Sequence, residues 1–109
     1  MFRPWRQDDR PAWWARITHD VREPLDDTDR DAVKKQAGDT GLARWVLVTE
    51  DEGTVSVYLL VKADSAYEAA VVATRVVEAA HREAGHGYLG RRLRRTVLRH
   101  QPGQSPPRG

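Results

Sequence analysis

The chain has no cysteine. Disulfides, thiolate metal sites and thiol nucleophiles are thereby excluded together. No apolar run approaches the roughly 20 residues that span a bilayer. The opening Met1-Phe2-Arg3-Pro4-Trp5-Arg6 has no apolar stretch behind it, so it does not read as a secretory signal. These absences set the expectation of a cytoplasmic protein with no transmembrane segment. Lysine is scarce: Lys34, Lys35 and Lys62 are the only three, and the remaining basic residues are arginine.

The motifs of catalysis are missing as well. There is no nucleophile elbow, no HExxH and no Walker A sequence. The acidic run Asp26, Asp27, Asp29, Asp31 fails as a calcium loop, because its sixth position is Asp31 rather than Gly and its twelfth is Ala37 rather than Glu. Gly85, Gly87 and Gly90 follow a helix instead of opening one and lack phosphate-loop register; they read as a helix stop followed by a turn. Among the histidines His19, His81, His86 and His100, the pair His81 and His86 is five apart, whereas one helical face would want four. The position of His81 in a last helical turn is explained by the negative end of the helix dipole. The sequence therefore predicts no enzyme, no metal site and no cofactor.

The clearest feature present is the block from Trp45 to Gly85. Trp45 to Thr49 are strand-favouring types, and Glu50-Asp51-Glu52-Gly53 is a hairpin turn signal. From Val55 the pattern alternates: Val55, Val57, Leu59 and Val61 share one face, Ser56, Tyr58, Leu60 and Lys62 the other. Asp64 or Ser65 caps a helix, Glu68 three residues after Ser65 completing a capping box, and that helix ends at Gly85. Ala69, Ala70, Ala73, Val76, Val77, Ala80 and Ala84 form its buried stripe, opposite Glu68, Arg75, Glu78 and Arg82.

The flanks read as helices. Trp13, Ile17 and Val21 fall at i, i+4 and i+8 after Pro11, and Pro24 closes that segment. A Thr28/Asp31 cap opens a short helix from Asp29 to Ala37. Leu89, Leu93 and Val97 repeat the same spacing in a segment rich in Arg91, Arg92, Arg94, Arg95 and Arg99, which predicts a basic amphipathic helix. The fold expected is α+β: a small antiparallel hairpin packed by a long Ala-rich helix, with N-terminal short helices and a basic C-terminal helix. It forms a single domain over 1–100, with a helical part about 11–37, a ββα core 42–85 and a basic helix 88–100. Residues 101–109, with three prolines and two glycines, are expected to form a disordered tail.

Charge is unevenly placed. Residues 1–40 hold eight basic and nine acidic side chains, residues 41–87 four and seven, and residues 88–109 six arginines and no acid. A basic end of this kind suits an acidic partner. Arginine suits phosphate best, so DNA or RNA held by Arg91, Arg92, Arg94, Arg95 and Arg99 is the first expectation for function. The alternative is an adaptor whose basic helix meets an acidic protein. Of the tryptophans among the N-terminal arginines, Trp13 has a packing role by spacing, Trp14 covers an edge, and Trp5 is the candidate exposed contact. Two strands alone make a marginal sheet, so either a third strand lies in a segment read here as something else or a second copy of the chain extends the sheet. The apolar residues on both faces of the second strand favour the second copy, which predicts a homodimer with Tyr58 and Leu60 at its interface.

Overall fold

The structure, a computed structural model, describes residues 5, 8–20, 25–85 and 93–101. Its elements are β1 (Ala12–Asp20), α1 (Asp27–Asp39), β2 (Ala43–Asp51), β3 (Thr54–Lys62), α2 (Ala66–Glu83) and β4 (Arg94–Arg99). The strands form one four-stranded antiparallel sheet in the order β2-β3-β1-β4. This is the split β-α-β arrangement of the ferredoxin-like kind, with both helices on one face of the sheet.

The hairpin is tighter than its sequence suggested. Asp51 pairs with Thr54, so the loop is Glu52-Gly53 alone. Both loop residues have positive φ, 49° and 81°, as a type I′ turn requires. Helix α2 starts at Ser65, whose hydroxyl accepts from the Glu68 N–H at 3.1 Å. The Glu68 carboxylate does not return to the cap; it pairs with Arg10 at 2.7 Å. Gly85, at φ 86°, takes the left-handed position that ends the helix.

The core lies between sheet and helices. Val55, Val57, Leu59 and Val61 line one face of β3, joined by Ala15 and Ile17 of β1, Val33 and Ala37 of α1, and Ala69, Ala73, Val76, Val77 and Ala80 of α2. Each fully buried Val, Leu or Ile contributes about 1.5–3 kcal/mol relative to exposure. The small alanines on α2 let its axis approach the strands.

Three expectations are corrected. The first N-terminal helix is strand β1, and in place of the short second one, Asp29 to Ala37, stands the longer helix Asp27–Asp39, capped by Asp26 with Asp29 rather than by Thr28 with Asp31. The basic C-terminal helix is absent among the described residues: residues 94–99 are strand β4. The two-stranded sheet has four strands, with β3 in its interior. The physical reason is shared. A spacing of i, i+4, i+8 is even, so Trp13/Ile17 and Leu93/Val97 satisfy period two as well as a helical turn. Paired with β3 and β4, the segment alternates: Trp13, Ala15, Ile17 and His19 face the helices, and Trp14, Arg16 and Thr18 face away. In α2, by contrast, Ala69/Ala73/Val76/Val77/Ala80 mixes steps of three and four, which only a helix puts on one face.

No helix among the described residues is long and apolar enough to cross a membrane. Val21, Pro24, His86, Gly87, Tyr88, Leu89, Gly90, Arg91, Arg92 and the expected tail beyond Gln101 lie outside the described residues.

Candidate functional site

The helices cover one face of the sheet; the other is the open face. Strand register places three rows of side chains across it. Trp14 of β1 lies between Leu60 and Leu98, with Arg44 beyond Leu60. Arg16 lies between Tyr58 and Thr96, with Leu47 beyond Tyr58. Thr18 lies between Ser56 and Arg94, with Thr49 beyond Ser56. None of these residues is a carboxylate. Arg16, Arg44 and Arg94 are all exposed, and none is in an ion pair among the described residues.

The aromatic rings of this face are shielded. Trp14 is only 6% and Tyr58 only 9% exposed. The Trp14 indole N–H donates to His100 Nδ1 at 3.0 Å, with the two rings edge to face. The Arg16 guanidinium lies 5.3 Å over the Tyr58 ring. Trp5, expected to be exposed, is half-buried, with Arg44 and Lys62 over its ring at 5.7 and 5.2 Å. The face thus offers guanidinium groups laid on aromatic rings, an arrangement that holds the cations in place by cation–π attraction.

Alternation along β4 divides the arginines that a helix would have gathered. Arg94 stands on the open face. Arg95 is on the helix side, where its Nε donates to Thr74 Oγ1 at 2.8 Å. Arg99 is also on that side, 5.7 Å over the Trp13 ring. Arg91 and Arg92 lie outside the described residues. Tyr58 and Leu60, the expected dimer contacts, are buried and lie on the interior strand β3. The thin-sheet argument for a homodimer therefore loses its premise.

Edge strand β2 carries a feature the sequence did not reveal. Arg44 pairs with Leu60 and Leu47 with Tyr58, so Trp45 and Val46 together oppose the single residue Leu59. This is a β-bulge. Val46 packs against the core, and Trp45 is the extra residue. Trp45 sits at φ 54° and is 69% exposed. A left-handed backbone costs a side-chain-bearing residue about 1–2 kcal/mol, and a bulky exposed ring does nothing in the fold to offset it. Leu42 and Leu47 beside it are also substantially exposed.

Two buried polar clusters complete the inventory. His19 of β1 and His81 of α2 meet Nε2 to Nε2 at 2.9 Å with rings edge to face, both almost wholly buried. One Nε2–H must donate to the bare Nε2 of the other. The pair spans 62 residues of sequence, so no local pattern could announce it. Near the start of β1, Arg10 binds Asp8 and Glu68, each at 2.7 Å. The hydrogen bond and charge of Arg10 hold the Asp8 carboxyl down at about 2, against an opposing push from burial. Among the described residues no group of three metal-ligating side chains occurs.

No family model, no curated protein and no solved structure matches the chain.

Proposed function

We propose that the protein is a binding module whose open sheet face takes single-stranded nucleic acid. One observation carries the reading: Arg16, Arg44 and Arg94, from three different strands, stand on a face whose three central rows hold no carboxylate. Arginine's planar fork matches phosphate oxygens two at a time. Three strand spacings of about 4.8 Å make the face roughly 14 Å wide, room for two or three nucleotides of a strand laid across it. The basic character that the sequence placed on a C-terminal helix is supplied instead by arginines of β1, β2 and β4.

The test is fluorescence anisotropy with labelled single-stranded DNA and RNA. If three phosphates are neutralised, log K falls with log salt at a slope of about −2, so raising salt from 50 to 200 mM weakens binding roughly 20-fold. The variant carrying Arg16→Gln, Arg44→Gln and Arg94→Gln together loses both the binding and the slope. No binding by the parent at 50 mM salt, or unchanged binding by the triple variant, overturns the reading. Equal affinity for polyglutamate replaces it with the adaptor reading, in which the arginines meet an acidic protein.

A further inference from the structure

The bulge in β2 brings Val46 and Val48 onto the core side after Ala43, and it does so by leaving Trp45 in a left-handed backbone with its ring in solvent. Bulges re-aim side chains, and strained residues of this kind concentrate where a protein makes contact. Here the bulge leaves a tryptophan exposed on edge strand β2, next in sequence to Arg44 of the open face. The rings within the face are covered by Arg16 or His100, so they do not offer a free π-surface. Trp45 does.

We infer that Trp45 is a base-stacking residue: a nucleotide whose phosphate is held at the Arg44 side of the face places its base on the exposed indole. This rests on the proposed nucleic-acid reading and assigns the site its base contact. The arginines are point charges and forks that read the sugar–phosphate backbone. A flat indole reads the π-face of a base and tolerates any sequence. The division of labour is therefore spatial: phosphate across β4, β1 and β2, a stacked base at the β2 edge. Charge complementarity favours this occupant over a second copy of the chain, which would bring its own three arginines against these.

The experiment compares Trp45→Gly and Trp45→Phe with the parent. Glycine takes positive φ freely, so Trp45→Gly melts at the parent's temperature or higher. It binds a single-stranded oligonucleotide about 5- to 150-fold more weakly, the loss of one stacked base, with the salt slope unchanged. Trp45→Phe recovers part of that loss. An abasic oligomer of the same length binds parent and Trp45→Gly alike. If the parent binds and Trp45→Gly binds as well, the stacking role is overturned while the nucleic-acid reading stands. If the parent binds no oligonucleotide, both fall. A Trp45→Gly protein that melts well below the parent shows the ring to be structural and overturns the inference. So does a parent dimer in light scattering that Trp45→Gly converts to monomer, because the indole is then covered by a second copy.

Discussion

Replacing one histidine of the buried His19–His81 pair should harm the fold more than replacing both. The two rings are almost wholly excluded from water and share one Nε2–Nε2 hydrogen bond of 2.9 Å. His19→Leu takes this contact from the Nε2 of His81, and His81→Leu takes it from the Nε2 of His19, whose Nδ1 keeps its 3.2 Å contact with the Asp20 carbonyl. Orphaning a buried polar group costs about 1–3 kcal/mol. In a domain of this size that is a fall in melting temperature of roughly 4–8 °C per kcal/mol. Changing both to leucine removes donor and acceptor together and adds apolar contact, so the double variant lies within about 1 kcal/mol of the parent. Urea unfolding followed by tryptophan fluorescence gives the four free energies of the cycle. Summed, the two single losses come to about 2–6 kcal/mol and should exceed the double loss by at least about 1 kcal/mol. Additive losses would refute the reasoning, since they would mean that neither ring depends on the other.

Two further outcomes are expected. Glu52 occupies a left-handed position in the two-residue turn at φ 49°; Asn is the better residue there, so Glu52→Asn should raise stability by about 0.5–1 kcal/mol, read as a higher urea midpoint, and a lower one would count against the type I′ assignment. The Asp8 carboxyl is held at about 2 against an ordinary 3.8, so it is depressed on folding, and the stability it lends is present above about pH 4 and lost as pH falls towards 2. A shift of that size corresponds to about 2 kcal/mol, but the Arg10 side chain is 36% exposed, and solvent screening reduces the expected loss to about 1 kcal/mol. Urea midpoints between pH 5 and pH 2 should fall less steeply in Asp8→Asn than in the parent, and parallel curves would show that the Arg10 contact contributes nothing.

What the chain determines locally is the hairpin and the helix after it. Val55, Val57, Leu59 and Val61 recur at every second position, Glu52-Gly53 can turn, Ser65 caps, and Ala69, Ala73, Val76, Val77 and Ala80 mix steps of three and four that only a helix reconciles. Each signal lies within one element, where propensity and periodicity act. The location of the basic charge on the fold, and of the site, was not legible in the same way. Trp13/Ile17 and Leu93/Val97 have even spacings that suit helix and strand alike, and the choice was made by partners far along the chain. Trp14 sits between Leu60 and Leu98, 46 and 84 residues away. Once β4 joined β1, alternation divided Arg94 from Arg95 and Arg99, and it set Arg94 on the same face as Arg16 and Arg44, which no window of sequence brings together. The bulge that exposes Trp45 has a similar origin. Trp45 and Val46 compete for the place opposite Leu59, and the aliphatic side chain packs into the core while the indole is left in water. That contest exists only when β3 is alongside, so only the tertiary structure could decide it.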